Sequence, residues 1–204
     1  MSAAIDPRDR ALQAVMPAVM VPRFSQVDLP DTPGDRYLVA SDGLWLDVRR
    51  SWLHVRLPVS LSKIALPYGS VEPILSCTPR VGSGLIRRFV EWAAMAAPNE
   101  TAAYITHDAV SGSYTLHRAV IRDSGPGHVQ YELPALDENE ELAVDLHSHG
   151  DLPAFFSPQD DRDDHGAVKL AIVVGACRSA TPQVRARLCC LGMTLDVTEY
   201  VNQH

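Results

Sequence analysis

The sequence predicts a layered α/β or α+β domain that follows a small β-rich unit, and three observations support this fold class. Residues 37–57 contain short segments of alternating apolar and polar residues, separated by turns. Residues 84–97 have the apolar spacing of one amphipathic helix. Residues 167–175 form a nearly continuous apolar run, which is typical of a central buried strand. We therefore place a β-rich N-terminal unit at 1–78 and a second domain at 79–204.

The composition limits the compartment and the partners. The chain has 204 residues, of which 46% are hydrophobic and 21% charged, and this is enough apolar material for a buried core. A net charge of −7 argues against a general nucleic-acid binder, which usually has a basic face. The N-terminal residues lack the apolar segment of a signal peptide, and no apolar run is long enough to span a membrane. We expect a cytoplasmic protein with no nucleic-acid or membrane partner, and its four cysteines as buried thiols in a reducing compartment.

The N-terminal unit begins with a proline-rich segment in which only residues 8–16 favour a short helix. Trp45 and Trp52 are expected to fill the core of this unit. Residues 66–84 are rich in proline and glycine and predict a connection between the two parts of the chain. No motif in the unit indicates a role. The strands predicted here are Tyr37–Ala40, Gly43–Arg49 and Leu53–Leu57, with a turn at 41–43.

The second domain is expected to begin with a helix capped by Ser83 and ended by Pro98. Ser157 and Pro158 predict the start of a second, short helix, with the serine hydroxyl as its N-cap. The remaining segments alternate or are continuously apolar, as strands are. The strands predicted in this domain are 100–108, 113–123, 128–133, 141–149, 167–175, 183–191 and 193–201.

Two histidines near the end of a predicted strand indicate a metal site. His147 and His149 are two residues apart, so their side chains lie on the same face of the strand and can reach one ion. If the loop 150–156 folds back, Asp160 on the first turn of the short helix can supply a third ligand. Two histidines and one carboxylate, with an open fourth position, are the ligand set of a hydrolytic zinc site, and no thiolate is nearby to favour another metal.

Hydrolysis at such a site needs a proton acceptor and an oxyanion donor. Zinc lowers the pKa of a bound water to about 7, and a neighbouring carboxylate can then take the proton and return it to a leaving amine. Glu100, at the start of the strand that follows the long helix, is the candidate for this role. The hydroxyl of Ser157 can donate a hydrogen bond to the developing oxyanion.

The stretch HSHGDLPAFFSPQD, together with the upstream glutamate, resembles the signature of the JAMM (MPN+/JAB) metalloproteases, which is H-x-H, seven residues, then S-x-x-D. The resemblance covers roughly residues 80–200. It implies a three-layer α/β/α domain on a mixed sheet, related to the cytidine deaminases. It also implies that His147, His149 and Asp160 hold Zn²⁺, that Glu100 is the acid/base, and that Ser157 aids the oxyanion. Members of the family are isopeptidases that cleave ubiquitin or ubiquitin-like tails, so the implied substrate is a protein.

A narrower resemblance comes from the stretches DGLWLDVRR and FFSPQDDRDD. They are similar to a family of the PRTRC system, a plasmid-associated gene cluster that also encodes a ThiF/E1-like protein and a ParB-like protein. This resemblance implies a ThiF/E1-like partner. The chain departs from the wider JAMM pattern at Gly150, where proline is common, at Phe156, where proline often precedes the serine, and within ETAAY, which lacks the usual small residue at its place. None of these departures removes a ligand.

Structural explanations compete with each functional one. The two histidines can be exposed residues on a polar strand face, and the spacing of Ser157 and Asp160 also suits a helix capping box, which is compatible with a metal role. Glu100 can be a solvated residue at the start of a strand. The acids after Asp160 can form a solvated helix face, or Asp164 can orient a ligand histidine.

Three functions follow from these alternatives. The first is a zinc-dependent peptidase or isopeptidase of JAMM type, which we predict. The second is a noncatalytic MPN-type scaffold within a plasmid-associated system, against which the intact ligand set argues. The third is a metal hydrolase acting on a small molecule or nucleobase. Such deaminases use H-x-E and P-C-x-x-C, and neither motif is present in the sequence.

Overall fold

The computed structural model describes residues 6–78, 80–133 and 135–202. The chain divides between residues 79 and 80 into two compact units. Mixed sheets with a few helices confirm the predicted α/β class and the separate β-rich unit. None of the helices in the described ranges is both long and apolar enough to cross a membrane.

The N-terminal unit is a five-stranded sheet in the order β1-β2-β3-β4-β5, preceded by one helix. The first strand pairs in parallel with the second, and the other neighbours are antiparallel. Trp45 and Trp52 are buried, with 5% and 1% of their surface exposed, as predicted. The elements are α1 (Pro7–Val15), β1 (Ala18–Met20), β2 (Gly34–Ala40), β3 (Gly43–Arg49), β4 (Leu53–Leu61) and β5 (Ile74–Cys77).

The second unit contains a six-stranded sheet in the order β13-β12-β11-β10-β6-β7 and a separate two-stranded sheet, β8-β9. Only β10 and β11 are parallel neighbours among the described strands of the larger sheet. The elements are α2 (Ser83–Ala96), β6 (Ala102–Asp108), β7 (Tyr114–Arg118), β8 (Val120–Gly125), β9 (His128–Glu132), β10 (Glu140–Ser148), α3 (Pro158–Asp163), β11 (Val168–Gly175), β12 (Gln183–Cys190), β13 (Met193–Asp196) and α4 (Thr198–Asn202).

The apolar run of β11 occupies the centre of this sheet, as predicted. Its neighbours are β10 on one side and β12 on the other. Ile172, Val173 and Val174 are fully buried although they point alternately to opposite faces, so both faces of this strand are covered. The carboxyl end of β10, which carries His147, therefore lies in the interior of the sheet and not at an edge.

One predicted helix start and one predicted strand end are wrong. Ser83 does not cap α2: it is the first helical residue, and Gly82 occupies the cap position without a side-chain hydrogen bond. The predicted strand 193–201 ends at Asp196, because the side chain of Asp196 accepts a hydrogen bond from the backbone N–H of Thr198 at 2.8 Å. This contact turns the chain at the end of the strand, and helix replaces strand from Thr198 onwards.

The predicted strand 113–123 is also wrong, because it is two strands in different sheets. Tyr114–Arg118 pairs with β6, whereas Val120–Gly125 pairs with β9. Ala119, between them, donates its N–H to the carbonyl of Ala102 at 3.2 Å and is buried. The chain leaves the larger sheet at this residue, and no change in composition marks the point.

Candidate metal centre

The two histidines of the H-x-H motif meet at the end of β10. His147 is the penultimate residue of β10, and His149 is the first residue after the strand ends. Their Nε2 atoms are 3.2 Å apart. The N–H of His149 donates to the carbonyl of Val174 in β11 at 2.8 Å, so the second histidine is held to the neighbouring strand although it lies outside β10.

Gly150 turns the chain sharply after the second histidine. It has a φ of +55°, and a Cβ atom at this position would lie 2.3 Å from the carbonyl oxygen of Pro98. Proline, which is common here in the resembled family, is restricted to a φ near −65° and does not fit this turn. Glycine in place of the common proline is therefore consistent with the positive φ at residue 150. The loop from 151 to 156 then returns the chain to the site, as predicted.

Asp160 reaches the histidines from the first turn of α3. The Oγ of Ser157 accepts a hydrogen bond from the N–H of Asp160 at 3.2 Å, and Oδ2 of Asp160 accepts one from the N–H of Ser157 at 2.6 Å. These reciprocal bonds form a capping box. The other oxygen of Asp160, Oδ1, lies 3.5 Å from Nε2 of His147. The same carboxylate thus closes the helix start with one oxygen and faces the histidines with the other.

The donor atoms of His147, His149 and Asp160 could hold one metal ion. They all lie within 4.8 Å of one another. Zinc bonds of about 2.0–2.2 Å in a tetrahedron place neighbouring ligand atoms about 3.4 Å apart. The separations of 3.2 Å between the histidines and 3.5 Å between His147 and Asp160 agree with that value.

Protonation also suits metal binding. The carbonyl oxygen of Pro153 can only accept a hydrogen bond, and it lies 3.0 Å from Nδ1 of His149. Nδ1 of His149 therefore carries the proton, and Nε2 is left to act as a ligand. Burial lowers the pKa of His147, although the charge of Asp160 opposes this effect. The neutral imidazole, which is the form that binds metals, is thereby favoured.

Glu100 lies in the same cavity as the three candidate ligands. The cavity has a volume of about 770 Å³, and its walls include Glu100, Tyr131, His147, His149, Ser157 and Asp160. Only 7% of the surface of Glu100 is exposed, so the alternative of a solvated strand-start residue does not hold. Burial raises the pKa of Glu100 to about 7; His128 opposes the rise and Asp160 adds to it. A carboxyl group with this pKa exchanges protons near neutral pH.

Sequence reasoning missed a group of buried charges next to the ligands. Lys169 on β11 lies 2.6 Å from Asp145 on β10 and 2.8 Å from Asp164 at the end of α3. Tyr131 on β9 donates its hydroxyl hydrogen to Asp145 at 2.9 Å. Burial alone would lower the pKa of Lys169, but the two carboxylates outweigh it and raise that pKa. The one sequence signal was a lysine inside an otherwise apolar strand.

Asp164 is neither a solvated helix residue nor a partner of a ligand histidine, as the sequence had suggested. It is 7% exposed, and its Oδ2 lies 2.7 Å from Nη2 of Arg187 on β12. Arg187 also lies 2.6 Å from Asp161. Burial alone would raise the pKa of Asp164, but Lys169 and Arg187 outweigh it and lower that pKa. Of the acids that follow the ligand, Asp161 and Asp164 are therefore paired with cations.

Two family models match separate parts of the chain. Residues 82–190 match a family model described as prokaryotic homologs of the JAB domain. Residues 6–77 match a domain of unknown function, DUF2016. No curated protein matches the chain. The solution structure of protein DSY2949 from Desulfitobacterium hafniense is similar at 14% identity and a TM-score of 0.42, over 55% of this chain and 85% of that one.

Proposed function

This chain belongs to the prokaryotic homologs of the JAB domain, and from this we propose that it is a zinc-dependent peptidase or isopeptidase of JAMM type. One observation carries the proposal. The donor atoms of His147, His149 and Asp160 lie within 4.8 Å of one another in a cavity that also contains a buried glutamate, Glu100. A noncatalytic member of the fold has no need for this combination of ligands and acid.

The residues of the cavity can take separate roles in amide hydrolysis. His147, His149 and Asp160 would hold zinc, which supplies Lewis acidity for hydrolysis when bound. Glu100, with a pKa of about 7, can accept a proton and later donate it to the leaving amine. The hydroxyl oxygen of Ser157 already accepts the N–H of Asp160, so its hydrogen remains free to donate to the developing oxyanion.

The substrate that we propose is the C-terminal tail of a ubiquitin-like or other small protein. The resemblance to JAMM isopeptidases supports this class. A ThiF/E1-like partner is proposed on the narrower resemblance alone. The cavity of about 770 Å³ is large enough for several residues of an extended chain.

Zinc content tests the ligand set. We expect about one zinc per wild-type chain after purification with zinc in the growth medium, and its loss in His147→Ala. His165→Ala is the matched control, because His165 lies after α3 and is exposed. A wild-type chain that holds no zinc under these conditions would contradict the proposal and favour the scaffold.

Turnover tests the role of Glu100. Glu100→Gln is expected to retain zinc and to lose at least about 100-fold in rate, since the neutral amide cannot accept a proton. Candidate activity is measured on a proteome-derived peptide library, with new N-termini read by mass spectrometry, and on fluorogenic amides of ubiquitin-like C-termini. Equal cleavage by wild type and Glu100→Gln would contradict the assigned role.

A further inference from the structure

We propose that Arg187 and Lys169 are positioning residues, which hold α3 against the sheet and thereby place Asp160 beside the two histidines. The inference deepens the proposed function and rests on it. Neither side chain is among the candidate ligands, and neither was singled out by the sequence. Both are buried, at 8% and 6% exposure, and both contact α3 or its C-terminal cap.

The helix α3 needs such an anchor. It has six residues, Pro158–Asp163, and none of them is buried. A helix of this length is not stable alone in water, and this one has no apolar face with which to pack. Its capping box fixes the first turn relative to Ser157 but not relative to the sheet. The position of Asp160 therefore depends on polar contacts made by its neighbours in the helix.

Arg187, on strand β12, makes three polar contacts with residues of α3 and its C-terminal cap. Its Nη1 lies 2.6 Å from Asp161, and its Nε and Nη2 lie 3.0 and 2.7 Å from the same oxygen of Asp164. The guanidinium carbon also lies 4.0 Å from the centre of the Phe156 ring, just before the helix cap. One planar cation thus holds the beginning and the end of α3 together.

Lys169 joins this arrangement to the strand that carries the histidines. Its ammonium group bridges Asp164 at the end of α3 and Asp145 on β10, which lies two residues before His147. The hydroxyl of Tyr131 donates a hydrogen bond to the other oxygen of Asp145. Buried ion pairs contribute little net stability, because desolvation offsets their attraction, but they can select one geometry. In this site the selected geometry is the approach of α3 to β10.

Asp160 itself is left available by the same arrangement. Within the described residues, the ion-pair partner of Asp160 is His147, and no lysine or arginine pairs with it. The two cations bind its neighbours Asp161 and Asp164 instead. The helix is therefore anchored without neutralising the carboxylate that faces the histidines.

Zinc affinity and cobalt spectroscopy of the full chain test the proposal. Metal-free protein is titrated with zinc in competition with a chromophoric chelator, and with Co²⁺ to record the visible absorption of the site. Arg187→Gln is expected to weaken zinc binding roughly 10- to 100-fold and to alter the cobalt spectrum. Arg185→Gln is the matched control, because it removes an exposed arginine from the same strand. Arg187→Lys, which keeps the charge, is expected to recover part of the affinity.

A second variant, which perturbs the structure less, is measured in case Arg187→Gln does not fold. Asp161→Asn removes the charge from the outer partner of Arg187 and so weakens only that contact, while the pairing with Asp164 remains; the side chain of Asp161 is 63% exposed. It is expected to weaken zinc binding by a smaller factor than Arg187→Gln. Wild-type affinity and spectrum in folded Arg187→Gln, or in Asp161→Asn where only the latter folds, would overturn the proposal.

Amide hydrogen exchange separates this proposal from the proposed function. A wild-type chain without zinc affinity overturns the proposed function, but the anchoring of α3 is still measurable in metal-free protein. The amides of Asp161 and Asp164 donate to the carbonyls of Ser157 and Asp160 and report on the helix. Faster exchange of these amides in Arg187→Gln than in Arg185→Gln supports the anchoring, and equal exchange overturns it.

Discussion

Replacing Glu100 with glutamine should make the metal-free protein more stable, and increasingly so as the pH rises. The carboxyl group is buried, and burial raises its pKa from the ordinary value of 4.5 to about 7. Below pH 4.5 the group is protonated in both the folded and the unfolded chain, so it has no effect on the pH dependence. Between pH 4.5 and about pH 7 the folded chain binds the proton of Glu100 more tightly than the unfolded chain does. The free energy of unfolding therefore falls as the pH rises through this range. Above pH 7 the full cost of the buried charge is present.

The pKa difference sets the size of the effect. The interval from 4.5 to about 7 corresponds to at most about 3 kcal/mol in the free energy of unfolding. Glutamine is neutral at every pH and does not carry this cost. The difference in stability between Glu100→Gln and wild type should therefore grow by up to about 3 kcal/mol between pH 4.5 and pH 8.

Urea unfolding over this pH range, with a chelator present, measures the difference. All other titrating groups are present in both proteins, so subtraction leaves the titration of Glu100 together with its coupling to His128 and Asp160. Glu91→Gln is the control, because it makes the same substitution at an exposed position on α2. A difference between Glu100→Gln and wild type that stays constant from pH 4.5 to pH 8 would refute the assignment of a buried, proton-exchanging carboxyl group.

Three further substitutions test other contacts by urea unfolding at neutral pH. Ser157→Ala removes the helix cap and should cost about 1 kcal/mol; an unchanged midpoint would argue against the capping box. Tyr131→Phe removes the hydrogen bond to Asp145 and should cost about 1–3 kcal/mol, and a neutral result would contradict that contact. Gly150→Ala places a Cβ against a backbone carbonyl at positive φ and should cost more than about 1 kcal/mol. Gly84→Ala, in the first turn of α2 where a Cβ meets nothing, should not destabilise the protein.

The sequence predicted those parts of the fold that depend on local pattern. The alternation in β10, the apolar run of β11 and the serine–proline start of α3 each lie within one short segment, and each is present in the structure. The approach of Asp160 to His147 was also predictable, because the loop between them is short. The roles of these residues stay predictions until metal and turnover are measured.

Contacts between distant segments were not predictable in the same way. Lys169 and Arg187 both meet Asp164 because β11 and β12 are neighbours in the sheet, and no local sequence pattern predicts that pairing. The edge strands β1 and β5 have three and four residues, too few for alternation to be recognised. The helix α4 begins after a turn in which Asp196 accepts the N–H of Thr198, and the strand-like composition of the segment does not reveal this turn.

The capping box has a consequence for the thermodynamics of metal capture. A free aspartate side chain must give up rotamer freedom when it becomes a ligand, and that loss of conformational entropy opposes binding. In this protein Oδ2 of Asp160 is already bonded to the N–H of Ser157, so the rotamer is selected when the helix forms. The entropic cost is met during folding, and the carboxylate is preorganised before any ion arrives.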